Sequence, residues 1–336
     1  MLLRGDWTKD WTKEVDMPAV TVDNPLVLPR IERPGPTTPA RPVERVIPAH
    51  HAVEGAGFEV WRPFPGGVDL KLTDPFLLLD QLGPVEYAPG EAKGAPWHPH
   101  RGFETVTYVL DGEISHHDSN GGGGLIGEGD TQWMTAGAGI LHDEVPSEQA
   151  LRTGGPSHGV QLWVNLPSRL KFTPARYQAI TGENLVLLSS DDGGALVRLI
   201  AGDLAGHPGP GATHTPIAYA HATISPGAEL SVPWNSEFNA LAYVLLGQGY
   251  AGPEARPVSE HSLVVFGPGE SIVLRAVDRQ DGATGAFEVL LLGGLPIREP
   301  IAHYGPFVMN TKDEIVEAIG DFNAGRMGKV PAMDLG

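Results

Sequence analysis

Thr107-Tyr108-Val109-Leu110-Asp111-Gly112 and Ala242-Tyr243-Val244-Leu245-Leu246-Gly247 are two versions of one pattern. Each is a short apolar run that stops at a glycine, which reads as a strand entering a tight turn. Further along each half stands a second signature, Ile126-Gly127-Glu128-Gly129-Asp130 and Phe266-Gly267-Pro268-Gly269-Glu270. We pair these two as a strand, a glycine turn and a strand. Their common order and rough spacing predict two copies of one β domain.

The surrounding sequence agrees. From His51 to about Pro300 it is made of short apolar runs broken by Gly, Pro, Asp and Asn; examples are Phe76-Leu77-Leu78-Leu79, Val160-Gln161-Leu162-Trp163-Val164 and Ser262-Leu263-Val264-Val265-Phe266. Many short strands without long helical periods predict an all-β chain of two barrels or sandwiches. Residues 46–185 are expected to form the first domain and 186–325 the second, with a tail over 326–336. The boundary falls in the turn-rich stretch from Thr181 to Asp192. One helix is predicted near the end. Thr311 to Glu314 is a capping box, Ile315, Ile319 and Phe322 recur at helical spacing, and Gly325 is the stop.

Residues 1–45 read as a flexible tail. Its Pro29–Pro48 stretch is too rich in proline and too poor in large apolar side chains to offset its ordering entropy unless it drapes over a surface. Trp7 and Trp11, in a tandem Asp-Trp-Thr-Lys repeat, would share a helical face and could form a docking motif, or belong to a plain tail.

Composition removes several function classes. With no cysteine, disulfides, thiolate catalysis and cysteine-based zinc sites are excluded. A net charge of -18 without a run of Lys or Arg argues against direct nucleic-acid binding. No stretch has the length and apolarity of a membrane span or a signal peptide, so the expected location is the cytoplasm.

Six of the 13 histidines lie between His98 and His158. His98 and His100 are two apart, so on a strand they share a face, as do His142 and Glu144 further on. Polar imidazoles on an inner barrel face need partners. If the two strands are neighbours, three imidazoles and a carboxylate converge as a set for a divalent first-row metal. The plainer alternative is a hydrogen-bonded histidine pair at a strand end. His116-His117-Asp118 lies at a strand end near the barrel mouth and reads as solvent-facing polar residues, with neighbours of the site as the alternative. Gly121 to Gly124 reads as a loop that could cover a cavity. Arg101 could meet an anionic substrate or pair with an acid, and Trp133 and Phe103 are core or pocket-wall candidates.

His98-Pro99-His100-Arg101-Gly102-Phe103-Glu104-Thr105-Val106 resembles the first cupin motif as the pirin family writes it. The stretch from Gly129 through Trp133-Met134-Thr135-Ala136-Gly137 to Ile140-Leu141-His142-Asp143-Glu144 is similar to the second motif, and Gly305-Pro306-Phe307-Val308-Met309-Asn310-Thr311 resembles the C-terminal signature. The resemblance runs from about residue 50 to about residue 325. It implies two tandem cupin barrels of the double-stranded β-helix or jelly-roll type, plus a short C-terminal helix. It further implies a mononuclear iron(II) site in the first barrel, with His98, His100, His142 and Glu144 as ligands. Manganese, nickel, copper and zinc accept the same donors. Glu104, where cupins in general carry their carboxylate, becomes a neighbour that orients a ligand imidazole. Aligning Tyr108 with Tyr243 sets Pro233, Asn235 and Asn239 at the places of His98, His100 and Glu104, so the second barrel lacks the metal set.

The activity implied is dioxygenase (quercetinase) cleavage of a flavonol or similar small aromatic phenolic with O2, in which Glu144 is the catalytic residue that accepts the hydroxyl proton. The alternative is a non-catalytic iron or redox-sensing regulator whose protein partner is a transcription factor or a metabolic enzyme.

Overall fold

The computed structural model describes residues 20–54, 57–281 and 284–331; Trp7 and Trp11 lie outside them. Each half is a two-sheet barrel. In the first, a seven-stranded sheet (in order Arg176–Ile180, Thr131–Thr135, Phe103–Asp111, Gly155–Asn165, Phe76–Tyr87, Phe58–Phe64, His50–Glu54) faces a four-stranded one (Ala95–His100, Ile140–Pro146, Ile114–Asp118, Gly123–Ile126). The second repeats this with eight and four strands. The fold is that of two cupins, as expected.

The large sheets pack against each other. Val106, Tyr108, Leu110, Val160 and Leu162 of the first share one buried cluster with Tyr219, Leu241, Tyr243, Leu263 and Leu290 of the second. Their central strands are therefore covered on both faces. This is why Phe103–Asp111 is buried at every position and reads as a continuous run instead of an alternating one. The inside of the second barrel is filled by its own apolar cluster, which includes Val232, Trp234, Ile272 and Leu291.

The first repeat signature is seen in the backbone. Gly112 and Gly247, at matching corners between large and small sheet, both have φ +82°, a conformation side chains with a Cβ rarely adopt. The second pairing needs correction. The Gly127–Asp130 turn leads into Thr131–Thr135 of the large sheet, whereas the Gly267–Glu270 turn leads out of Ser262–Phe266, the strand that occupies the corresponding place. The two turns sit at successive corners of the barrel. Both corners are tight turns that contain glycine, so local pattern alone cannot tell one from the next.

The segment expected to be a flexible tail is, from residue 20 on, laid along the second barrel. Arg30–Ile31 pairs in parallel with Val186–Ser190, and Val43–Pro48 pairs antiparallel with Ser262–Phe266 at the sheet edge. Arg41 is buried and donates to the carbonyls of Gly267, Asn235 and Phe238 at 2.9–3.0 Å. Proline is tolerated at such an edge, because no further strand needs its missing N–H.

The chain's other end crosses the opposite way. After the second barrel, the hairpin Ala302–Tyr304/Phe307–Met309 and the helix Lys312–Asn323 return to the first barrel. The capping box forms as predicted: the Thr311 hydroxyl accepts from Glu314 N–H at 3.2 Å, and the Glu314 carboxylate accepts from Thr311 N–H at 2.8 Å. Ile315 and Ala318 pack with Leu141, Phe307, Met309 and Met327, while Phe322 stays partly exposed. No helix among the described residues is long and apolar enough to cross a membrane.

Candidate metal centre

The two histidine-bearing strands are direct neighbours. Ile140–Pro146 runs antiparallel to Ala95–His100, with His142 opposite His98 and Ile140 opposite His100. The register then slips, so that Glu144 lies opposite Ala95. A bulge of this kind re-aims a side chain. The donor atoms of His98, His100 and His142 lie within 4.8 Å of one another.

For two of the rings the hydrogen bonds decide which nitrogen is offered. His98 Nδ1 lies 2.8 Å from Pro96 O, and His100 Nδ1 lies 3.3 Å from Pro306 O. A carbonyl oxygen only accepts, so both Nδ1 atoms carry the hydrogen. Both Nε2 atoms are then lone pairs, and they face each other at 3.1 Å. His142 Nε2 is buried with no hydrogen-bond partner. The two facing lone pairs repel one another until a cation sits between them, and the unpartnered His142 Nε2 is the third candidate donor. A separation of 3.1 Å is that of two neighbouring donors near a right angle around an ion at about 2.1 Å. The residues fit a divalent metal.

Burial, then the adjacent imidazoles, holds His100 and His142 well below the ordinary histidine pKa, which keeps them neutral and able to ligate. Gly102, just past His100, has φ +89°, and a Cβ there would strike Val308 O and Met309 Sδ of the C-terminal hairpin. The chain can thus bring Pro306 onto His100 only with glycine at this corner.

Glu144 stands slightly apart from the three rings. Its donor oxygen groups with His116 and His142 instead of with His98 and His100. Its carboxylate accepts from Thr107 Oγ1 at 2.6 Å, Gln132 Nε2 at 3.0 Å and Gln161 Nε2 at 3.2 Å.

The role expected of Glu104 is not realised. Glu104 shares a strand face with Val106 and Tyr108, which look into the core between the barrels, whereas Thr107 faces Glu144. It accepts from Thr135 Oγ1 at 2.7 Å, and burial raises its pKa. One residue of alternation places it on the side away from the imidazoles.

His116, read from sequence as solvent-facing, is fully buried beside His142, and only His117 of the pair is exposed. The strand Ile114–Asp118 pairs with Ile140–Pro146, so alternation along it was the available signal. The Gly121–Gly124 loop folds back on Asp118, which accepts from the N–H of Asn120 and Gly122, and it does not reach the cavity. Arg101 donates to Asp321 at 2.7 Å, Trp133 is core, and Phe103 packs on Trp163 and His100.

His98, His100 and Glu144 open onto a cavity of about 670 Å³. Its walls near the rings include Leu78, Trp97, Trp163 and Pro306. In the second barrel Ser271 stands opposite Pro233, as His142 stands opposite His98. Among the described residues, groups of three or more metal donors occur only in the first barrel.

Comparison with known proteins agrees with this architecture. Residues 57–164 match the family model described as Pirin, and residues 219–328 match the Pirin C-terminal cupin domain. The chain is 41% identical to a candidate quercetin 2,3-dioxygenase of Pseudomonas aeruginosa, over 81% of this chain and 93% of the other. It is 40% identical to human pirin, over 82% and 90% of the two chains. The crystal structure of quercetin 2,3-dioxygenase from Acinetobacter baumannii superposes with a TM-score of 0.80 at 38% identity, covering 87% of this chain and all of that one. With both barrels, their order and their sequences in agreement, this chain belongs to the pirin family.

Proposed function

We propose that this protein is a metal-dependent dioxygenase that cleaves the central ring of a flavonol or similar phenolic with O2, as quercetin 2,3-dioxygenases are named for doing. The observation that carries this reading is the cluster of three imidazoles, two of which, His98 and His100, open with Glu144 onto an aromatic-lined cavity of about 670 Å³. That volume lies within the range that encloses a ligand of this size. His98, His100 and His142 would hold the ion, with Glu144 as the adjoining carboxylate; iron(II) is our choice among the metals such donors accept. When bound, the ion would lower the pKa of a phenolic hydroxyl and supply the one-electron chemistry that O2 requires.

The chain's own residues do the rest. Glu144 takes the hydroxyl proton, and Thr107, Gln132 and Gln161 hold its carboxylate toward the cavity. Trp97, Trp163 and Leu78 give a flat aromatic ring a dry surface to lie against. The lining carries the acids Glu54, Glu59, Asp80 and Glu144 against the bases Arg62 and Lys93, which disfavours an anionic substrate.

The test is anaerobic loading with iron(II), addition of quercetin, and admission of O2. Loss of the flavonol's visible absorption with release of carbon monoxide is expected, and His98→Ala should abolish both. Fully loaded protein that turns over no flavonol would overturn the enzyme reading. Capture of a protein partner that depends on the iron oxidation state would then favour the regulator.

A further inference from the structure

Each of the three imidazoles has its Nδ1 engaged, but not by the same kind of partner. Pro96 O serves His98 and Pro306 O serves His100. For His142 the partner is a side chain: His116 Nδ1 lies 3.4 Å from His142 Nδ1. Both rings are fully buried, with centroids 5.0 Å apart. Tyr177 stacks on the far face of the pair, its ring 5.3 Å from His116 and inclined by 24°.

We propose that His116 is a positioning residue which fixes the tautomer and the orientation of His142. An N–H···N contact between two neutral imidazoles contains one hydrogen, so one ring donates and the other accepts. His142 can offer its buried, unpartnered Nε2 to an ion only if its own hydrogen is on Nδ1. It must then donate to His116 Nδ1, and His116 keeps its hydrogen on Nε2, a buried N–H without a hydrogen-bond partner whose cost the ordered pair has to bear. The Tyr177 ring holds the acceptor in place, and pairing of Ile114–Asp118 with Ile140–Pro146 sets the two rings side by side. The other two orienting groups are main-chain carbonyls, which no substitution removes. His116 is the member of this outer ring that a single mutation deletes.

The inference rests on the metal centre proposed above, and its test measures metal binding, not turnover. Manganese(II) and iron(II) affinities are read by anaerobic chelator competition. His116→Met removes the acceptor from a side chain of similar bulk and should weaken binding about 10- to 100-fold, the usual cost of losing a ligand's hydrogen-bond partner. His116→Gln, whose amide oxygen can accept, should recover most of the loss. His98→Ala is the control: if it keeps the ion, the centre itself is wrong, and a failure there is told apart from a failure at His116. In the folded wild type loaded with zinc, nitrogen-15 NMR of the histidines should find His142 protonated on Nδ1 and His116 on Nε2, whatever the variants do. The reverse tautomers would overturn the proposal, as would wild-type affinity in His116→Met. So would two ions per wild-type chain against one in His116→Met, because His116 would then be a ligand itself, together with His142 and Glu144.

Discussion

Lys171 gives the sharpest quantitative test of how the site is held together. Its ammonium is buried and donates to Gly102 O at 2.8 Å, Asn165 Oδ1 at 2.9 Å and Val308 O at 2.9 Å. It thereby ties the C-terminal hairpin to the corner that follows His100. Burial lowers its pKa from 10.5 to about 8. Unfolded, the lysine binds its proton up to the higher value, so between the two the unfolded chain holds more protons and stability rises with pH. The full difference corresponds to about 3 kcal/mol, of which about 2 kcal/mol should develop between about pH 7 and about pH 9.5. The perturbation is Lys171→Met. At neutral pH it leaves three buried acceptors bare at about 1–3 kcal/mol each, offset by relief of the roughly 3 kcal/mol cost of burying the charge. A net loss of about 3 kcal/mol is expected from these opposing terms. Urea unfolding of metal-free wild type and variant across this range, which stops below the tyrosine titrations, isolates the lysine. The gap between the two should widen by about 2 kcal/mol toward the alkaline end. A gap that stays constant or narrows would refute the reasoning.

Four further outcomes follow from contacts described above. Gly102→Ala forces a Cβ onto Val308 O at φ +89° and should cost about 2–4 kcal/mol in thermal unfolding, with loss of metal. Arg101→Met leaves Asp321 to Arg326 alone and frees Ala138 O, and should destabilise by about 1–3 kcal/mol, with the terminal helix becoming the first segment cut in limited proteolysis. Glu104→Gln keeps an acceptor for Thr135 and should leave the metal content of the purified protein unchanged, since its face looks away from the imidazoles. A sulfated flavonol should bind at least several-fold more weakly than quercetin in a tryptophan-quenching titration, because acids outnumber bases in the cavity lining.

Much of this was legible in the residues. Continuous apolar runs marked strands buried on both faces, and His98, His100, His142 and Glu144 advertised themselves by two-residue spacing. What stayed hidden depended on register or on distance along the chain. Glu104 lies in the motif itself, but its side of the sheet depends on one residue of alternation. His116 sits in a run of polar residues that looks like a solvated strand end, and only pairing with the His142 strand reveals its burial. Pro306 acts through a carbonyl that every residue possesses, from 206 positions away, so no side-chain pattern could have announced it. The glycine turns were mispaired because neighbouring corners obey the same local rule.

The crossing of the chain's two ends has a bearing on how the protein is made. A ribosome finishes all of the metal-donating side chains early, yet the carbonyl that aims His100 emerges only after the whole second barrel. Severing the chain between the halves would strip one of an edge strand and the other of its closing hairpin, so neither fragment is a self-sufficient unit. In the centre proposed above, tight capture of an ion would therefore wait until synthesis is complete, and a truncated product would be left with a looser grip on it.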